Sequence, residues 1–243
     1  MTTTPHIDYV YMPLGYDCSP TFALKELGLY KCSFPFDYVQ SNHLIVKHCI
    51  EDEFQFFHQD VMLINGESHN GPRVIDHYGV QYPHDYPPVD DPSLNNIHAV
   101  SNDDAFFPEV VSFNTYKKYK DVVLEKYRRR IDRFYEALRD KRPIIILMRE
   151  LFRDAMIIKE YLEQKFNRNN IMFVVAADET HLVDLPPLMT YFNPSNDTKK
   201  DLLKWKEGID RVKQKYEKVA IHVPHYASVN HAHTIEKSHS QWF

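Results

Sequence analysis

The residues best suited to chemistry stand near the start of the chain. Cys18 follows an apolar, aromatic run, Tyr9-Val10-Tyr11-Met12-Pro13-Leu14, and a turn, Gly15-Tyr16-Asp17, and it directly precedes Ser19-Pro20. Ser as N-cap and Pro at the first helical position open a helix. Phe22, Ala23, Leu24 and Leu27 continue it, and Gly28 closes it. A thiol at such a helix start meets unpaired N–H groups and the positive end of the backbone dipole. Both favour thiolate, the nucleophilic form. Free cysteines are also among the most buried residues, so a space-filling role for Cys18 stands beside the nucleophilic one.

Other groups carry weaker signals. Arginine is the preferred ligand of phosphate, which makes Arg129 and Arg130 candidates for anion binding. Yet Lys126-Tyr127-Arg128-Arg129-Arg130 is interleaved with Asp121, Glu125, Asp132 and Glu136, and reads first as the solvated face of an amphipathic helix. Asp90-Asp91 and Asp103-Asp104 could hold a divalent cation with a nucleotide sugar, as paired acids do in many glycosyltransferases. There are 14 histidines. Among them His231-Ala232-His233, and His222 with His225, lack a carboxylate or cysteine at ligand spacing, so no metal centre is expected. Six glycines form neither a G-x-G-x-x-G nor a Walker pattern, which excludes a glycine-rich phosphate cradle.

Leu14-Gly15-Tyr16-Asp17-Cys18, Leu24-Lys25-Glu26-Leu27-Gly28-Leu29 and Ser33-Phe34-Pro35-Phe36-Asp37-Tyr38 together resemble the opening signature of a known family. It is a domain-of-unknown-function family labelled as papain-like cysteine peptidases, found in bacteria and large DNA viruses. Tyr82-Pro83-His84-Asp85 and the helix around Lys126 to Phe134 resemble it as well, so the likeness runs over about residues 9 to 140. The resemblance implies a cysteine hydrolase acting on a peptide or ester, with Cys18 as nucleophile and His84 as base. Asp37, from the Phe-Asp-Tyr motif, or Asp85 would orient that base. Backbone N–H groups at the Ser19 helix start would stabilise the oxyanion. No cofactor is expected in that case.

A competing expectation is a glycosyltransferase that takes a nucleotide-sugar donor with a divalent cation and builds a glycan. It rests on the acidic pairs, on Arg129, Arg130 and the cations from Arg149 to Arg153, and on a likeness of family relatives to proteins of polysaccharide gene neighbourhoods. Cys18 would then be structural and the helix start would bind donor phosphate.

The elements that must position these groups read as α/β. Asn114 to Leu138 is the clearest helix, with Tyr116, Tyr119, Val123, Tyr127, Ile131, Phe134 and Leu138 at three- and four-residue spacing. A shorter helix falls near Ser41 to Cys49. Pro143–Met148 and Ile171–Ala177 are continuous apolar runs, separated by a helix from Arg153 to Phe166, the pattern of a parallel βαβ unit. A further helix spans Asp201 to Tyr216, and Val219–Val223 reads as a last strand. Residues 66 to 105 show little periodicity and read as a long irregular loop region. This parallel pattern conflicts with the papain label, since a papain fold pairs a helical half with an antiparallel, barrel-like half. In parallel sheets ligands bind beyond the carboxyl ends of the strands, where Cys18, Glu150, Asp178-Glu179 and, after the last strand, His222 with His225 would converge. Ser19, Arg129, Arg130, Glu150 and Asp178 are therefore the expected substrate-binding residues.

Composition bounds the rest. A hydrophobic share of 43% with 14% aromatics marks a folded chain of 243 residues. It reads as one α/β domain over 1–243, with a family-like part to about 140, a βαβ part over about 141–225 and a frayed tail over 226–243. A net charge of −5 argues against generic nucleic-acid binding. Cys18, Cys32 and Cys49 form an odd set suited to reduced thiols. Neither a signal-peptide pattern nor an apolar run of membrane-spanning length is present, so a cytoplasmic place is expected, in the host cytoplasm if the chain is viral. The oligomeric state is left open.

Overall fold

Two branched runs set the architecture. Ile144–Arg149 and Ile171–Ala176 are apolar and buried at nearly every position, as strands covered on both faces must be. In the computed structural model, which describes residues 7–65, 72–85, 113–178, 186–195 and 197–222, they form the centre of a four-stranded parallel sheet. The elements in chain order are β1 (Val10–Leu14), α1 (Ser19–Glu26), α2 (His43–Glu51), β2 (Met62–Asn65), β3 (Pro72–Ile75), β4 (Gln81–Tyr82), α3 (Phe113–Arg139), β5 (Ile144–Arg149), α4 (Phe152–Lys165), β6 (Ile171–Ala176), β7 (Met189–Phe192) and α5 (Thr198–His222).

The main sheet has the order β1-β5-β6-β7, with Val10 opposite Ile144, Ile144 opposite Ile171 and Phe173 opposite Met189. Successive side chains alternate between its faces. Met12, Leu14, Ile146, Met148 and Phe173 pack with Val46 of α2, Phe134 and Leu138 of α3, and Phe152 and Ile158 of α4. Ile145, Leu147, Met172 and Val174 pack with Leu24 of α1 and with Trp205, Ile209 and Val212 of α5. Helices on both faces of a parallel sheet make this an α/β fold. The periodicity is thereby borne out over the barrel-like half that the papain label implied.

A second, antiparallel sheet joins β2, β3 and β4. β3 and β4 fall inside the stretch expected to be irregular. Strands of four and two residues are too short to show a period of two, which is why the pattern hid them. Asp76 organises the turn between them, accepting the N–H groups of Tyr78 at 3.1 Å and Val80 at 3.0 Å and the Tyr82 hydroxyl at 2.6 Å. Residues 66–71 and 86–105 of that stretch, with both acidic pairs, lie outside the described residues.

Two further expectations change. The strand expected at Val219–Val223 is not there, because α5 continues to His222. A short apolar run cannot distinguish helix from strand, and Val212 and Tyr216 already set a helical period leading into it. His225 and the tail are outside the described residues. β7 was not anticipated at all, being only four residues, Met189 to Phe192.

Candidate active site

The site grows from the carboxyl end of β1. Gly15 follows that strand, and a Cβ there would sit 2.8 Å from Ser41 Oγ and 3.3 Å from the carbonyl oxygens of Phe36 and Val39. Only glycine lets the 36–41 segment cross the strand end this closely. Asp17 comes next and does three jobs. Its Oδ1 accepts the Ser19 N–H at 2.8 Å and the Ser19 hydroxyl at 2.6 Å, and its Oδ2 accepts Arg149 Nη1 at 2.8 Å. Arg149 is the last residue of β5, adjacent to β1, so the ion pair spans the rim of the sheet.

This arrangement corrects the reading of the helix start. The N-cap residue is Cys18, not Ser19, and Cys18 makes no side-chain capping bond. The cap is supplied by Asp17. Its carboxylate takes the Ser19 N–H that was expected to serve as an oxyanion donor, and Pro20 has no N–H to offer. Asp17 also faces the positive end of the helix dipole. The thiol therefore does not have that end to itself. Burial pushes the Cys18 thiol up from its ordinary value, the Asp17 carboxylate adds to this, and Arg149 acts in the opposite direction. A depressed thiol pKa, expected from the helix start alone, is overturned by these two causes.

Cys18 and Ser19 line a groove of about 550 Å³ along the carboxyl edge of the sheet. Phe22 and Ala23 of α1 form one wall, Leu202 and Trp205 of α5 another, and Arg149, Ala176 and Phe192 from the ends of β5, β6 and β7 form the floor. Lys199 and Asp201 stand at its mouth, on the first turn of α5. This is where a parallel sheet offers a site.

His84, Asp37 and Asp85 are not among the residues lining this groove. Asp37 and Asp85 face α3 instead. Asp37 is fully buried, with Tyr30 donating to its Oδ2 at 2.5 Å. Burial pushes its carboxyl up to about 6, against the pull of Arg130 and of the Tyr30 hydroxyl. Asp85 accepts Lys126 Nζ and, at 2.7 Å, the Tyr127 hydroxyl. Burial alone would raise Asp85, but Lys126 and Arg130 outweigh it and hold its carboxyl below the usual range. His84 sets its ring edge-on to Tyr38, with centroids 5.9 Å apart. His58 lies in the same region, stacked on Tyr82 at 3.9 Å.

The basic block of α3 divides accordingly. Lys126, Tyr127 and Arg130 are buried and face these carboxylates, whereas Arg128 and Arg129 are exposed and paired with Glu125. The solvated-face reading holds for the second pair only. Residues 126 and 130 are one turn apart, so one helix face carries both inward. Neither Arg129 nor Arg130 reaches the groove. Of the remaining expected binding residues, Asp178 is exposed just past β6 and Glu150 turns toward α2, where its Oε2 accepts the His43 N–H at 3.1 Å. His43 and Asp154 stand beside Glu150. Sequence reasoning missed both, since they lie far apart in the chain.

The parallel sheet with helices on both faces and the cysteine-lined groove at its carboxyl rim define an α/β protein whose candidate site lies where such sheets bind ligands. A family model described as "Putative papain-like cysteine peptidase (DUF1796)" matches residues 9–176, and the chain belongs to that family. The match runs past α3 through β5, α4 and β6, further than the sequence motifs reached. An uncharacterized protein of Acanthamoeba polyphaga mimivirus is 24% identical over 232 residues, covering 88% of each chain. No solved structure matches. Among the described residues, no helix is long and apolar enough to cross a membrane.

Proposed function

We propose that the chain is a cysteine-dependent hydrolase that holds an acyl substrate, a peptide or an ester, in the groove between α1 and α5. The observation that carries this reading is the position of Cys18: half-buried, at the carboxyl edge of a parallel sheet, beside the guanidinium of Arg149. The Cys18 sulfur would attack the acyl carbon, the leaving amine or alcohol would depart with a proton, and water would release the acid from the thioester. Because burial and the Asp17 carboxylate push the thiol up from its ordinary value, attack calls for a base. The sequence motif offers His84 for that role, with Asp37 or Asp85 behind it, but none of the three lines the groove, so the His84 variant tests this part on its own. Phe22, Phe192 and Trp205 suit an apolar side chain of the substrate.

The test is a panel of peptide and ester substrates with the full chain. Cys18→Ala should abolish turnover, and His84→Ala should lose nearly as much, since nucleophile and base act as one unit. Turnover by Cys18→Ala would sink the reading.

The glycosyltransferase reading retains one favourable observation. Arg149 and Lys199 place two cations in the groove, where a diphosphate would lie. Against it, the start of α1 is already capped by Asp17, and the amides that begin α5 donate to Asp197 at 3.0 and 3.2 Å. Binding of a nucleotide sugar that survives Cys18→Ser and fails on Arg149→Gln would favour this second reading.

A further inference from the structure

His43, Glu150 and Asp154 bring three metal-ligating atoms together where α2, the end of β5 and α4 meet. His43 Nδ1 is 3.7 Å from Glu150 Oε2 and 3.5 Å from Asp154 Oδ2, and the ligand atoms of all three lie within 4.8 Å of one another. Each side chain is set by its own element. Asn42 caps α2 by accepting the Ile45 N–H at 2.9 Å, which fixes His43 in the first turn. Glu150 is held through both oxygens, Oε2 by the His43 N–H at 3.1 Å and Oε1 by the Leu151 N–H at 3.3 Å. Asp154 stands in the first turn of α4, and its Oδ1 faces Arg153 Nε at 3.5 Å, leaving Oδ2 toward His43.

His43 Nδ1 is shut off from solvent and makes no hydrogen bond. Its distances to the two carboxylates exceed the roughly 2.7–3.2 Å of an N–H···O bond. They approach the about 3.3–3.4 Å that separates two ligands of a tetrahedral zinc ion with bonds of about 2.0–2.1 Å. Two carboxylates converging on a buried imidazole nitrogen also repel each other, and a dication removes that repulsion.

We propose that His43 Nδ1, Glu150 Oε2 and Asp154 Oδ2 bind one divalent transition-metal ion, with zinc as the type, and that water completes its shell. One nitrogen and two carboxylate oxygens suit zinc better than calcium, which takes six to eight oxygens. The thiols take no part: Cys49 is on α2 but fully buried in the core. The ion would bind α2 to α4 at the rim of the sheet, one residue from the Arg149 that lines the groove. This site does not depend on the hydrolase reading.

The experiment is zinc titration of the full chain after chelator treatment, with metal content measured after dialysis. One equivalent should bind, and His43→Gln and Asp154→Asn should each weaken it at least tenfold while circular dichroism shows the fold intact. Glu150→Gln serves as the second variant if either of these fails to fold. Replacing His231 and His233 by alanine should leave the affinity unchanged. Cobalt(II) in the same site should absorb as a four- or five-coordinate ion without a thiolate charge-transfer band. No stoichiometric zinc, equal affinity in the site variants, loss in the tail variant, or a thiolate band would each overturn the proposal.

Discussion

Arg149 Nη1 lies 2.8 Å from Asp17 Oδ2, so the last residue of β5 grips the residue immediately before the groove's thiol. The two charges act on Cys18 in opposite directions, Asp17 raising its pKa and Arg149 lowering it. Asp17→Asn should therefore speed alkylation of Cys18 several-fold near neutral pH, and Arg149→Gln should slow it. Cys49, fully buried, is the internal reference in mass-spectrometric labelling. Equal labelling rates in wild type and both variants would remove the electrostatic account of the thiol.

The two neighbouring arginines of α3 should behave very differently. Arg130 is buried near Asp37 and Asp85, whereas Arg129 pairs with Glu125 at the surface. Removing one partner from a buried charge cluster leaves a carboxylate uncompensated and costs about 3–5 kcal/mol. Exposed pairs contribute about 0–1 kcal/mol. Urea unfolding of Arg130→Gln should show the large loss and Arg129→Gln almost none. Similar midpoints for the two variants would mean that the cluster is not a stabilising unit.

Stability between pH 4 and 6.5 should reflect two opposed titrations. Burial holds His58 down to about 3 from 6.5, so only the unfolded chain takes up its proton. Its contribution is complete above 6.5 and falls as pH drops. Asp37 is raised from 3.8 to about 6, so the fold keeps that proton more tightly and gains stability as pH drops through 6. Each slope is at most about 1.4 kcal/mol per pH unit, and over the shared window they oppose. Relative to wild type, His58→Phe should gain stability on acidification and Asp37→Asn should lose it. Thermal midpoints across this range decide the matter, and identical pH profiles for all three proteins would contradict both assignments.

Gly15→Ala should destabilise the protein by about 1–3 kcal/mol, the usual cost of overpacking. The new Cβ meets Ser41 Oγ and two carbonyl oxygens, and the last two cannot rotate away. A wild-type urea midpoint would show that the 36–41 segment yields freely.

The parts legible in the sequence were those with a long signal. β5, α4 and β6 announced themselves through uninterrupted branched runs and a helix between, and α3 through seven apolar positions at helical spacing. Cys18 was legible as a residue beside a helix start. Its electrostatics were not, because the turn brings Asp17 back onto its own helix and Arg149 arrives from β5. The inward turn of Lys126 and Arg130 was hidden by like-charged neighbours on the same helix. His43 and Asp154 carried no local pattern. Such ligands become visible only when strand ends and helix starts are brought to one rim.

The strand order has a consequence for how the molecule is made. Among the described residues, β1 has β5 as its only partner in the main sheet, so Val10 must wait for Ile144. At about 5–20 residues per second of synthesis, that wait lasts many seconds. During it, Tyr9 to Leu14 is an unpaired apolar strand on a nascent chain, and closing so long a loop in a parallel pairing is slow. The rim where Cys18 meets Arg149 is thus assembled late. A ribosome-bound chain stopped before β5 would already contain the cysteine, but not the groove around it.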